Sequence, residues 1–338
     1  MSSGKQLFLI TELSLFTLTF FARRRKNKKE RDRMNTRELQ KEILRLKSER
    51  NCFILAHSNQ SDDILEVSDF TGDSFALSAA AKKIDCETAI LCGVRFMAET
   101  VKILSPEKYV VLANPGAGCP MADSIDAEKV RELKRMHPGY AVVAYINTTA
   151  EVKAECDVCV TSSSAVRIME NLDSAGIIFI PDRNLGRYVK NRFRDKDIIL
   201  YDGSCPRHAN ISADTARSVM KLHPEARFLV HPECGEDVVG LAHFVGSTKE
   251  IMDEAVSGSA GEYIIGTEIS IVQHLCRACP GKKFYPVSND LVCGDMRITS
   301  LGDILDALNG TGGEEITVPP VILKKARRSI DRMIELGR

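Results

Sequence analysis

Three cysteines, Cys119, Cys205 and Cys293, stand 86 and 88 residues apart, each with the same kinds of neighbour in sequence. Counting back 45, 43 and 45 residues reaches a hydroxyl: Ser74, Ser162 and Thr248. Seventeen residues before each hydroxyl an apolar run ends in a polar ring, His57, Tyr145 and His231. Two residues past each ring stand Asn59, Asn147 and Glu233. Seven residues after each cysteine comes Asp126, Ser212 or Ser300, a residue type that opens helices. Four features in one register, three times over, define an internal repeat. Three thiolates from three copies of one scaffold can converge on a pseudo-threefold axis and hold one metal centre. Soft thiolates select zinc, copper or iron–sulfur clusters. A structural zinc takes a fourth ligand, for which His208, three residues after Cys205, is a candidate. A [4Fe–4S] cluster on three cysteines instead keeps one iron open as a Lewis acid. Composition alone does not choose between them.

The elements that must position these residues follow from periodicity. Short apolar runs alternate with helix-period segments, the pattern of a parallel α/β sheet. Strands are expected at 53–56, 89–92 and 109–112, at 141–144, 177–180 and 198–201, and at 227–230, 263–265 and 283–286. The runs are continuous rather than alternating in polarity, as when helices cover both faces. Ligands of such sheets bind beyond the carboxyl ends of the strands, where His57, Tyr145 and His231 fall. The expected architecture is three pseudo-symmetric α/β/α (three-layer, parallel-sheet) units. The first spans 34–125 with the C-terminal helix 316–338, the second 126–211 and the third 212–315.

A chain of 338 residues supports several such units, and 44% apolar with 27% charged residues describes a soluble globular protein. A formal net charge of zero argues against nucleic acid as a partner, which asks for a basic face. Residues 1–33 differ: an apolar stretch, Leu7 to Phe21, is interrupted by Glu12, and Arg23 to Arg33 is densely basic. The stretch is shorter than the roughly 20 residues that cross a bilayer, and a signal peptide places its basic cluster first. The segment reads as an untranslated leader, with Met34 the true start and the opening of an amphipathic helix; the alternative is a short membrane-associating extension, without which no membrane role is expected, and the expected location is cytoplasmic. Two CxxC pairs, Cys156–Cys159 and Cys276–Cys279, occupy different positions in different units, so they read as buried or inert thiols rather than a four-thiolate site. His137 and His223, before Pro138 and Pro224, read as helix ends.

Longer motifs carry a family resemblance. They include Ser68-Asp69-Phe70-Thr71-Gly72-Asp73-Ser74, Gly118-Cys119-Pro120-Met121-Ala122-Asp123-Ser124, Pro181-Asp182-Arg183-Asn184-Leu185-Gly186-Arg187, His231-Pro232-Glu233-Cys234 and Gly266-Thr267-Glu268. From about Thr36 to the C-terminus the chain resembles the quinolinate synthase family. The resemblance implies a central iron–sulfur active site, with a [4Fe–4S] cluster on Cys119, Cys205 and Cys293. It implies a transferase that condenses iminoaspartate with dihydroxyacetone phosphate to quinolinate in NAD biosynthesis, functionally linked to an aspartate-oxidising enzyme. Substrate-binding positions carried over are His57, Ser74, Tyr145, Asn147, Ser162, His231, Glu233 and Thr248. Proton transfer falls to Glu233 with His231, Tyr145 serves as a second acid, and His57 is expected as a charged donor.

The chain departs from the family where a His-Tyr-Tyr-Gln run becomes His57-Ser58-Asn59-Gln60, and an asparagine becomes Ser164 in Thr161-Ser162-Ser163-Ser164-Ala165. Asparagine hydrogen-bonds but cannot donate a proton as tyrosine does. The alternative reading is therefore a cluster-containing paralogue with another substrate, or a non-catalytic iron or redox sensor.

Overall fold

The computed structural model describes residues 31–337. The proposed leader lies outside the described residues except at its end, where Arg31 forms an ion pair with Asp306 at 2.5 Å.

Three parallel sheets share one strand order. The first holds β1 (Cys52–His57), β2 (Phe70–Gly72), β3 (Thr88–Cys92) and β4 (Tyr109–Leu112). The second holds β5 (Ala141–Tyr145), β6 (Val158–Val160), β7 (Ile177–Ile180) and β8 (Ile198–Leu200). The third holds β9 (Arg227–Val230), β10 (Phe244–Val245), β11 (Glu262–Gly266) and β12 (Lys283–Pro286). In space the orders are β2-β1-β3-β4, β6-β5-β7-β8 and β10-β9-β11-β12, the same permutation three times. A short β13 (Glu314–Glu315) adds antiparallel to β4. The predicted strands recur within a residue or so of their bounds, because apolar runs such as Ile177–Ile180 are buried on both faces.

The helix starts also repeat. Asp126, Ser212 and Ser300 are N-caps whose side chains accept the backbone N–H three residues on, at 2.7, 3.0 and 3.3 Å. Each such cap contributes about 1 kcal/mol. His137 and His223 cap the other ends of two of these helices, as expected.

Two segment assignments are corrected. The C-terminal helix Pro320–Leu336, placed with the first unit, buries Ala326, Ile330 and Met333 in the core of the second sheet. It reaches the first unit through Arg327, which donates to the carbonyls of Ile103 and Leu104 at 3.2 Å each. Residues 301–315, placed with the third unit, belong to the first. Leu301, Ile304, Leu305 and Leu308 pack with Ile43 and Leu46, and β13 pairs with β4. An apolar stripe at helical spacing says that a helix is covered, not by which sheet. Among the described residues no helix is long and apolar enough to cross a membrane.

Candidate active site

The carboxyl ends of the three sheets face one cavity. His57, Asn59, Ser74, Cys119, Tyr145, Asn147, Ser162, Cys205, His231, Glu233, Thr248 and Cys293 all line it, so the repeat brings every ring, every residue two past it, every hydroxyl and every cysteine to one place, while the helix starts Asp126, Ser212 and Ser300 lie outside it.

The cysteine loops are anchored alike. The N–H of Arg95, Arg183 and Ile269, each just past the third strand of its unit, donates to the carbonyl two residues before a cysteine. The acceptors are Ala117, Gly203 and Leu291, at 2.9, 2.7 and 2.9 Å. Gly203 is required here, since a Cβ would stand 2.5 Å from the Pro181 carbonyl oxygen. Burial pushes the Cys119 thiol up to about 12 and Cys293 up to about 11. The backbone N–H groups of Ala122 and Met296, aimed at these sulfurs, offset part of that rise. Cys119 feels the charges of both other cysteines, and Cys293 that of Cys205. Three soft donors lining one cavity fit a thiolate-bound metal group, whose binding would displace the thiol protons.

The strand-end rings of the first and third units share one turn. The Asn59 N–H donates to His57 Nδ1 at 3.1 Å, and the Glu233 N–H donates to His231 Nδ1 at 3.3 Å. A backbone N–H can only donate, so both rings carry their proton on Nε2. Burial lowers both to about 4, with Asp73 and Glu233 respectively acting against it. The expectation that His57 is a charged donor is thus corrected. It is a neutral N–H donor at pH 7, because its desolvation outweighs the one carboxylate that faces it.

Glu233 is the ionised centre of the site. Burial alone would raise its carboxyl, but the histidines and Tyr145 hold it below the usual range. At pH 7 His231 is neutral, and the cation that faces the carboxylate is His208. His208 Nδ1 lies 2.8 Å from Glu233 Oε2 and 3.2 Å from Cys205 Sγ, and Nε2 lies 3.1 Å from Thr267 Oγ1. Burial disfavours the imidazolium, but Cys205 and Glu233 raise His208 well above its ordinary value. Burial, then the Glu233 charge, raises the Tyr145 phenol well above its ordinary value, with Ser162 acting the other way. The phenol therefore keeps its proton. Cys205, His208 and Glu233 place donor atoms within 4.8 Å of one another, but both His208 nitrogens are already engaged in this network. The sequence pointed to His208 only as a zinc ligand. Its signal was the third position past each cysteine, Ala122, His208 and Met296, where the second unit alone is titratable.

The hydroxyls sit at helix starts. Ser74 and Thr248 are the first residues of the ten-residue helices Ser74–Lys83 and Thr248–Ser257, capped by Asp73 and Ser247. Ser162 precedes the helix Ala165–Asn171, where Ser164 holds the Thr161 N–H at 2.9 Å. The two CxxC pairs stay apart. Cys156 and Cys159 pack in the core of the second sheet and Cys279 against that of the third, with Cys276 exposed.

Three like α/β sheets converging on three cysteines and a buried, ionised carboxylate define a class: an α/β enzyme with a cysteine-lined site at the junction of three sheets. The model of the family described as Quinolinate synthetase A protein matches residues 41–335. The chain is 44% identical to the quinolinate synthase of Caldicellulosiruptor bescii over 304 residues, 90% of this chain and 100% of that one. It is 44% identical to that of Methanoregula boonei over 302 residues, 89% and 99% of the two chains. It is 42% identical to that of Aquifex aeolicus over 317 residues, 92% and 98%. The chain belongs to the quinolinate synthetase A family.

Proposed function

We propose that this protein is a quinolinate synthase, condensing iminoaspartate with dihydroxyacetone phosphate to quinolinate for NAD biosynthesis. The observation that carries the reading is the cluster of Ser162, Tyr145, Glu233, His208 and Cys205, in which His208 links a buried, ionised carboxylate to a cysteine sulfur within the cavity. A metal-binding or purely structural thiolate cage has no use for a buried carboxylate held ionised beside a protonated phenol.

Cys119, Cys205 and Cys293 would hold a [4Fe–4S] cluster, which supplies an iron without a protein thiolate as a Lewis acid for an oxygen of the substrate. The protein's own groups do the rest. Ser74 and Thr248 offer hydroxyls beside the N-terminal amides of two ten-residue helices, which suits phosphate and carboxylate. His57 and His231 offer neutral Nε2–H groups, and Asn147 and Ser162 neutral donors, so an anionic substrate is bound without a fixed cation among them. Glu233 takes protons from substrate carbon, and the Tyr145 O–H returns one to oxygen. His208 holds Glu233 in register and keeps it ionised. The cytoplasm is the expected compartment, since eleven free cysteines suit a reducing environment. An aspartate-oxidising enzyme would supply the iminoaspartate.

One observation favours the second reading, a paralogue with a changed acceptor. Asn59 Oδ1 is buried at the cavity without a hydrogen-bond partner. A substrate with an additional donor group would satisfy it.

Anaerobic purification with iron and sulfide analysis, followed by assay with both substrates, tests the function. Four iron and four sulfide per chain with quinolinate formed are expected for one such cluster. A cluster without quinolinate favours the paralogue, and a protein without iron overturns the cluster reading.

A further inference from the structure

The anchors of the three cysteine loops are alike in backbone but not in side chain. Each anchoring N–H belongs to the residue after Val94, Asp182 or Glu268, and these three share one position, just past the third strand of each unit. In the second unit Asp182 is fully buried. Its Oδ1 accepts the Leu185 N–H at 2.7 Å, capping the helix Arg183–Lys190, and its Oδ2 accepts the Cys205 N–H at 2.9 Å. In the third unit the buried Glu268 repeats the device with a longer arm. Its Oε2 takes the Ser270 N–H at 2.8 Å together with the Ser270 hydroxyl, and its Oε1 takes the Cys293 N–H at 3.4 Å. Arg297 Nε lies 3.4 Å from Oε1 as an ion pair without a hydrogen bond, and Arg297 Nη2 donates to the Ser270 hydroxyl at 3.1 Å. In the first unit Val94 has no side-chain acceptor to offer, and the loop is closed within itself. There Ala117 donates to the Asn114 carbonyl at 3.1 Å, and Gly116 to Asn114 Oδ1 at 2.9 Å.

We propose that Asp182 and Glu268 are positioning residues of the thiolate centre: each bridges the end of a central strand to a ligand cysteine, fixing where that cysteine's sulfur points. The inference rests on the reading that the thiolates hold a metal group. A carboxylate is the group that can do this, because it has two acceptor oxygens and both are used. An amide of the same shape has one acceptor, and its NH2 would face an N–H. The bridges also take up the backbone N–H of Cys205 and Cys293, which then cannot donate to sulfur.

The test uses the full-length holoprotein and the variants Asp182→Asn, Glu268→Gln, Asp182→Ala and Glu268→Ala. Two readouts are taken: loss of the visible cluster band to an iron chelator under anaerobic conditions, and amide hydrogen exchange at the cysteine segments. Outer-shell partners of metal ligands typically change affinity about 10–100-fold, so chelator loss should quicken by about tenfold or more. Exchange should rise at the segment holding Cys205 in the Asp182 variants and at that holding Cys293 in the Glu268 variants, with the Cys119 segment unchanged. Should the alanine variants not fold, the near-isosteric Asn and Gln variants decide. Wild-type chelator loss and wild-type exchange in both of these overturn the proposal. A wild-type protein without iron overturns the underlying reading instead, and the exchange readout still decides whether the bridges hold the cysteines.

Discussion

The turns that end β1 and β9 have the same backbone and opposite chemistry. In both, a histidine at the strand end accepts the N–H two residues on, which fixes its tautomer, and burial keeps the ring neutral. The residue that supplies that N–H differs. Glu233 is engaged by His208 and Tyr145 and held ionised, whereas the Asn59 side-chain oxygen has no partner. A repeated scaffold thus delivers a ring at the same place in each turn, and the position beyond it decides whether the turn presents an ionised carboxylate or a neutral amide.

The sharpest way to break that contrast is Glu233→Gln, which keeps the shape and removes the charge. Turnover should fall about 10²–10⁴-fold, the range of general acid–base catalysis, with iron content unchanged; a loss under tenfold would deny Glu233 the role of base. The same change leaves His208 without its carboxylate partner.

What the turns share is tested by pH. His57 and His231 titrate near 4 when folded and near 6.5 when unfolded. A depressed folded value means that the unfolded chain binds more protons between these limits. Stability from each ring is therefore full above about 6.5 and falls as pH drops towards 4. The loss approaches about 3 kcal/mol per ring, the 2.5-unit interval taken at 1.36 kcal/mol per unit. Chemical denaturation at pH 7 and pH 4.5, compared in wild type and His57→Gln, measures it; a curve unchanged by the substitution would count against a neutral buried His57.

A smaller effect concerns the helix starts behind the two turns. Ser74→Ala and Thr248→Val should each raise KM about 3–10-fold for one substrate with little change in kcat, as when a single neutral hydrogen bond of about 1 kcal/mol is lost. Equal losses in kcat would move those hydroxyls from binding to chemistry.

The smallest expected change lies at the unpartnered atom. Asn59→Tyr restores a phenol where the family carries one and should raise quinolinate turnover a few-fold. No gain, with a gain on another acceptor, would point to the changed-substrate reading.

Much of this was legible in the chain before folding. The bounds of β4, β7, β9 and β12 were legible to the residue, most plainly for β7, whose four apolar residues are all buried. The same register marked Asp126, Ser212 and Ser300 as caps, which act over three residues. The helix Pro320–Leu336 was not legible in its partner, because Ala326, Ile330 and Met333 would suit any apolar groove. His208 was visible as a residue near Cys205, but its task depended on Glu233 and Thr267 arriving from the third unit.

By itself the sequence determined which residues end strands, which open helices, and that one plan is used three times. These are properties of consecutive residues and their period. Only the tertiary structure decided that His57 is neutral, that Glu233 is ionised against His208, and that Asp182 and Glu268 reach the cysteine backbones. Ionisation follows from desolvation and from charges a few ångströms away, and those neighbours lie far along the chain. Asp182 meets Cys205 across 23 residues, and Glu268 meets Cys293 across 25, distances that no local pattern encodes.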